Sequence, residues 1–315
     1  MTRASLVKGP AKCVYTPATG AATFFSKDDF NVALEQSTFD VRNSAHGLTS
    51  QRVLDVMAKA TMTPEGRLTA AMIAGLWPYA SSLVGTSIFG AADQPLAFHA
   101  SDGALHTILA AAVTKMPDLL FSAVNTMVGP VEFTGMRADG MDWDDADSLY
   151  TIASGATFTD STFSDALIKT QAYTGAFGAV AGFTAFDTLD GFKVTFPLET
   201  SAGGTDPHGI LTRHFQSVGA IVTCIPVGAT SAQILAAAKV QGAGAARGRA
   251  LGGTALTITG ADSVVYLTIP SCSITNVLQR FGAGENILRN GEVAFVAQRT
   301  FAAGVPQALF TLAAS

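Results

Sequence analysis

Residues 139–147 read DGMDWDDAD and hold five aspartates: Asp139, Asp142, Asp144, Asp145 and Asp147. No other stretch of this chain, with 24 acidic residues in 315, is as densely charged. Carboxylates at this spacing could bind a hard cation or work as an acid–base pair. An EF-hand loop needs oxygen ligands at alternate early positions, a glycine at the sixth and a glutamate at the twelfth. Counted from Asp142, the fifth position is Ala146 and the sixth is Asp147; counted from Asp139, the third is Met141. Neither start fits, and no partner for paired catalytic carboxylates stands beside them. The stretch reads as a solvated or subunit-facing acidic loop. Asp142, Asp144, Asp145 and Asp147 are its only candidate metal ligands.

The other candidates are weaker. GAGAARGRALGG (242–253) has glycines like a phosphate loop, but a helix is expected before it, where the dinucleotide fingerprint needs a strand before and a helix after. It reads as a flexible basic connection. Cys13, Cys224 and Cys272 share no CxxC spacing and are expected to be buried thiols, not a zinc site or a disulfide framework. His46-Gly47 and His208-Gly209 suit turns, because glycine accepts a positive φ and histidine tolerates one better than most residues. No GxSxG, HExxH or P-loop motif occurs. No cofactor is expected, and the chain reads as structural rather than catalytic.

Self-comparison shows how these stretches are organised. Shifted by 162 residues, Gly20, Phe24, Asp28, Phe30, Val32 and Thr38 meet Gly182, Phe186, Asp190, Phe192, Val194 and Thr200. His46-Gly47 meets His208-Gly209, and Pro64 meets Pro226. Gly129-Pro-Val-Glu-Phe133 meets Gly291-Glu-Val-Ala-Phe295 in the same register, and Leu149–Ala153 meets Leu309–Ala313 at a shift of 160. Proline, histidine and phenylalanine pairs in one register set this apart from chance matching of an Ala- and Gly-rich chain. The expected organisation is two tandem copies of one fold, 1–155 and 163–315, joined by the Ser/Thr-rich 154–165.

Each copy is expected to be mainly β (α+β), a small sandwich or barrel with one flanking helix. Period-two alternation marks strands at 29–34, 53–62, 96–100, 106–112, 131–136 and 149–153. In the second copy it marks 191–196, 215–225, 256–259, 264–269, 293–298 and 309–313. Helices are expected at about 67–77 and 229–241, after Pro64 and Pro226. Between the first two strands lie long polar segments, 35–52 and 197–214. The acidic stretch joins two late strands, where the second copy has TFAAGVPQAL (300–309) with no acid at all.

Bulk composition narrows the partners. Charged residues make up only 14% of the chain, against 48% hydrophobic. A typical soluble protein has about 25% charged residues, so surface is expected to be buried between subunits. A net charge of −5 opposes a grip on nucleic acid. The apolar run LTAAMIAGLWPYA is short and carries Pro78, so no membrane span is expected. The N-terminal MTRASLVKGPAK has no apolar core of a signal peptide.

The runs VKGPA…ATFFSKDDF, WPYASSLVGTSIFG (77–90) and AAVTKMPDLLFSAVNTMVGPVEFTG…DADSLYTIAS (111–154) resemble major tail tube proteins of long-tailed bacteriophages. GAARGRALGG to VPQALFTLA is similar to the end of such a protein. The resemblance implies a structural virion protein of the phage tail, assembled in the host cytoplasm. Its subunits would form stacked rings around a lumen that DNA crosses without specific binding. A duplicated chain would give a pseudo-hexameric ring from three chains. Implied partners are the chain itself, the tape measure protein, the tail terminator and distal tail proteins. The resemblance makes the polar segments 35–52 and 197–214 long loops that contact neighbouring subunits and rings, with His46, Gly47, Arg52, His208, Gly209 and His214 as candidate contact residues. The alternatives are a capsid, decoration or terminator protein, or a carbohydrate-binding or hydrolytic β protein.

Overall fold

The computed structural model describes residues 12–27, 30–65, 68–89, 94–100, 103–123, 127–136, 149–154, 171–178, 180, 183–205, 209–227, 233, 253–279 and 290–314. The first half contains β1 (Lys12–Tyr15), β2 (Ala22–Ser26), β3 (Asn31–Asn43), β4 (Gly47–Met62), β5 (Pro64–Glu65) and α1 (Ala70–Leu76). It continues with β6 (Leu96–His99), β7 (Leu105–Ile108), β8 (Ala110–Lys115), β9 (Leu119–Phe121), β10 (Met127–Val128), β11 (Val131–Met136) and β12 (Tyr150–Ala153). The second half opens with β13 (Tyr173–Phe177), β14 (Asp187–Thr188), β15 (Phe192–Thr195), β16 (Leu198–Thr205), β17 (Gly209–Val218), β18 (Ile221–Cys224) and β19 (Pro226–Val227). It ends with β20 (Thr254–Gly260), β21 (Val265–Gln279), β22 (Asn290–Ala297), β23 (Phe301–Ala302), β24 (Val305–Pro306) and β25 (Thr311–Leu312). The chain is mainly β, with antiparallel sheets throughout.

Three sheets carry most of the fold. One runs β12-β7-β6-β1-β2-β5, another β3-β4-β11-β8, and the largest β10-β9-β15-β18-β22-β21-β20-β13. Strand faces follow sequence alternation: β15 reads Phe-Lys-Val-Thr, with Phe192 and Val194 buried and Lys193 exposed. The interiors are rich in phenylalanine. Phe183 meets Phe186 edge-on, with centroids 5.1 Å apart, and Phe177 meets Phe295 at the same separation.

Helix α1 begins where Thr69 Oγ1 accepts the Met72 amide, at 3.1 Å. It ends at Trp77, just before Pro78. Gly75 lets α1 approach β2: a Cβ there would lie 3.1 Å from the Ala22 Cβ.

The polar segments expected to be loops are instead strands. Residues 35–43 and 47–52 lie within the two arms of one hairpin, β3 and β4, closed by a turn at 44–46. Residues 198–205 and 209–214 form the arms β16 and β17. The arms of the first hairpin are largely exposed, and the described residues of the second are mostly part-buried and polar, so apolar alternation is absent. Cross-strand backbone pairing holds them instead. Further corrections concern lengths. The stretch 106–112 is split at Leu109 into β7 and β8, 264–269 is the first part of the long β21, and Pro64 and Pro226 sit in the short strands β5 and β19. The acidic stretch at 139–147, residues 242–252 and all of the expected second helix at 229–241 except Gln233, which is helical, lie outside the described residues.

Strand register recurs with the sequence shift. In the first hairpin Asn43 faces Gly47, Val41 faces Ser50, Thr38 faces Val53 and Ser37 faces Asp55. In the second, Thr205 faces Gly209, Gly203 faces Thr212, Thr200 faces Phe215 and Glu199 faces Ser217. Each pair stands 162 residues after its counterpart. Register shifts fall between Ser37 and Thr38 and between Val41 and Arg42, and again between Glu199 and Thr200 and between Gly203 and Gly204. Phe25–Glu65 and Ser26–Pro64 recur as Asp187–Val227 and Thr188–Pro226. The Tyr15–Phe133 ring pair (5.0 Å) recurs as Phe177–Phe295 (5.1 Å). One difference has a plain cause. Where β3 is continuous at Glu35, the second half has Pro197, which lacks an N–H, and the arm divides into β15 and β16.

Candidate functional site

The chain's most distinctive arrangement is the seam where its first half meets its second. Strand β9, from the first half, adds antiparallel to β15 of the second: Phe121 faces Phe192, Leu120 faces Lys193 and Leu119 faces Val194. Gly191 permits this approach. Its φ is +87°, and a Cβ there would sit 2.4 Å from the Phe121 carbonyl oxygen.

A second addition covers the outer edge of β17. The Gly85 amide donates to the Phe215 carbonyl (2.8 Å), the Phe215 amide to the Thr86 carbonyl (2.8 Å) and the Ile88 amide to the Arg213 carbonyl (2.9 Å). His214 Nδ1 lies 3.1 Å from the Gly85 carbonyl oxygen, which can only accept.

Aromatic rings fill the space between the two additions. Trp77 meets Phe196 edge-on at 6.3 Å, and its Nε1–H donates to the Pro117 carbonyl at 3.0 Å. Tyr79 stacks on Phe215. The Leu309 amide donates to the Ala80 carbonyl at 2.9 Å. Arg213 donates to Met57 Sδ and Thr200 Oγ1, and Arg299 to the Ala80 carbonyl. Buried atoms of both guanidiniums, Arg213 Nε and Arg299 Nη1, have no hydrogen-bond partner among the described residues.

The residues expected to make contacts are dispersed over two hairpins. His46 lies in the exposed turn at the tip of the first, where Asn43 Oδ1 accepts the amides of Ala45 and His46. Gly47, not His46, takes the positive φ, +70°. Arg52 is on β4, facing Phe39, not in a loop. Gly209 opens β17 opposite Thr205, and His214 lies along that arm opposite Ser201. Of these residues His214 takes part in the seam. His208 and the four candidate aspartates lie outside the described residues. Sequence reasoning missed Tyr79, Phe196, Phe215 and Gly191. The shift of 162 pairs buried Phe196 with exposed Leu34, and because both are apolar the sequence has no signal that separates them.

Among the described residues no three His, Cys, Asp or Glu side chains converge to hold a metal ion. A cleft of about 190 Å³ between β8 and the Thr195–Leu198 corner is open and carries only Lys115 and Asp118 as charged groups. Sites for small molecules are usually about 300–1,000 Å³. All three cysteines are free and buried, and burial pushes the Cys224 and Cys272 thiols up to about 12. Among the described residues no helix is long and apolar enough to cross a membrane. No protein-family model matches the chain, and no curated protein matches it.

Proposed function

We propose that the chain is a structural subunit of a hollow tube, in the manner of the phage major tail tube proteins it resembles. In this reading its halves are two copies of one β fold, about 1–155 and 163–315, and three chains close a pseudo-hexameric ring. The addition of β9 to β15 carries the proposal. It joins a strand of the first half to the sheet of the second, while the counterpart edge of β3 (Phe30, Asn31 and Val32) has no added strand among the described residues. A heterologous contact repeated between like modules leaves a donor at one end and an acceptor at the other, and a ring satisfies both. Closing the ring also removes the exposed edge, as closing a barrel does.

The resemblance supplies the rest. Rings stack into the tube of a phage tail, and the exposed hairpin β3–β4, with its tip at 44–46, reaches neighbouring subunits. The tape measure protein, tail terminator and distal tail proteins are the expected partners. A net charge of −5 suits a lumen that DNA crosses without sticking, since like charge opposes phosphate contacts.

Electron microscopy of the purified protein over a range of concentrations tests this reading. Stacked rings with six similar modules are the expected result. Discrete monomers at every concentration would remove it. Closed shells, or single rings that never grow axially, would favour a capsid, decoration or terminator protein.

A further inference from the structure

The seam has a second strand addition, and its counterpart edge has no added strand among the described residues. Phe215 faces Thr200 across the second hairpin, yet its N–H and C=O both bond outward, to Thr86 and Gly85. Arg213 turns its carbonyl the same way, to the Ile88 amide. In the first hairpin Val53 faces Thr38 and Gln51 faces Asp40, in the same register and with both register shifts in the same places. The alternation of an antiparallel ladder therefore turns the Val53 N–H and C=O, and the Gln51 C=O, away from β3. Strand β11 covers β4 only from Ala58 to Met62. Among the described residues the strand pairings and bridges at Gln51–Val53 are those with β3, and Gly47–Gln51 are exposed.

We propose that the outer edge of β4 at Gln51–Val53 receives an antiparallel strand from a second copy of this chain, in the register that Gly85–Ile88 adopt on Arg213–Phe215. The inference rests on the ring reading and adds a second, outer contact to the joining of the inner sheet. Two observations select another copy of the chain as the occupant. The intrachain contact is heterologous: the first half donates a strand and the second half accepts one. Among the described residues the reverse contact is not made, and the first half offers another molecule the same kind of acceptor edge. Side chains agree. Phe196 is 3% exposed under Trp77, whereas Leu34, 162 residues earlier on the same hairpin edge, is 54% exposed. A second copy docked as the halves dock would cover Leu34 as well as the open backbone groups.

The test is Val53→Pro, compared with Val53→Ala and the wild type by sedimentation velocity and circular dichroism. Proline is tolerated on a strand where the missing N–H would face outward, so the hairpin's own ladder survives. The expected result is association weakened on the order of tenfold or more for V53P, with an unchanged spectrum and wild-type association for V53A. Hydrogen exchange on the wild type decides independently if V53P fails to fold: the Val53 amide should exchange more slowly in the assembly than in the dissociated chain. Wild-type association of V53P, or equal exchange of that amide in both states, overturns the proposal while the ring reading stands. A wild type that never assembles removes the ring reading itself.

Discussion

The Tyr79 ring stacks on Phe215, with centroids 5.8 Å apart and planes inclined by 28°. Tyr79 follows the helix of the first half, and Phe215 lies on a hairpin arm of the second. The Tyr79 hydroxyl donates to the Val113 carbonyl at 2.7 Å, so the ring is held at both its edge and its face. The pair is buried, and it lies beside the Phe215 backbone groups that hold Gly85 and Thr86.

Phe215→Ala should therefore cost more than an exposed hairpin substitution. Truncating a buried phenylalanine typically costs about 3–5 kcal/mol. Tyr79→Phe keeps the stack but leaves the buried Val113 carbonyl without this donor, a loss of roughly 1–3 kcal/mol. Urea unfolding followed by fluorescence checks both, and F215A should be the more severe. Equal and negligible effects would mean that the two halves do not depend on this contact.

Gly191→Ala tests the other strand addition. A non-glycine residue at a positive φ costs about 1–3 kcal/mol. Here the new methyl would also meet the Phe121 carbonyl oxygen at 2.4 Å and the Ser122 Cβ at 2.8 Å. Strand β9 must shift off β15 to admit it. Faster amide exchange at Leu119–Phe121, with a lower Tm, is the expected outcome. Gly20→Ala is the control: φ there is also positive, at +117°, but nothing lies within 4 Å of the added Cβ. It should lower Tm less and leave β9 exchange unchanged.

These contacts were unequally legible in the sequence. Leu96–His99 alternates because one face is buried, so period two reveals it. The arms QSTFDVRN (36–43) and GLTSQR (47–52) are long strands held by each other's backbone, and exposed side chains carry no trace of such pairing. The shift of 162 matches the starts of the arms, since Gly47 and Gly209 open equivalent strands. It did not distinguish Leu34 from Phe196, because both are apolar and only the seam buries the second. The expected connection at 139–147 falls on residues outside those described. Its counterpart at 300–309 contains the two-stranded hairpin β23–β24, turning through Ala303 and Gly304 with φ of 50° and 79°.

Stability should fall at alkaline pH. Burial raises Cys224 and Cys272 from an ordinary 9.0 to about 12, with the charge of Glu292 a lesser cause at Cys224. Burial raises Cys13 as well. Above pH 9 the unfolded chain releases these protons while the folded chain keeps them, so unfolding gains. The stabilising contribution is full below pH 9 and is lost progressively toward 12, at about 1.4 kcal/mol per pH unit for each thiol. Urea midpoints under reducing conditions at pH 8 and pH 10 measure the slope. Cys224→Ala should flatten it by one thiol's share even if it lowers stability at pH 8.

Leu34 separates folding from assembly. It is 54% exposed on β3, so Leu34→Asp removes little burial from the single chain and should change its unfolding free energy by no more than about 0.5 kcal/mol. Its counterpart Phe196 lies 4.7 Å from Phe310, centroid to centroid, and is 3% exposed under Trp77. If a second chain covers Leu34 as Trp77 covers Phe196, a carboxylate there must be buried without a partner when the ring closes, and burying an unpaired charge is strongly unfavourable. L34D should then fold with a wild-type Tm and remain monomeric where the wild type assembles. Phe196→Asp places the same charge against the intrachain seam and should unfold the protein at moderate temperature, whatever its concentration. Assembly of L34D at wild-type concentrations would show that this face of β3 stays open to solvent in the assembly, and the ring would have to close through other surfaces.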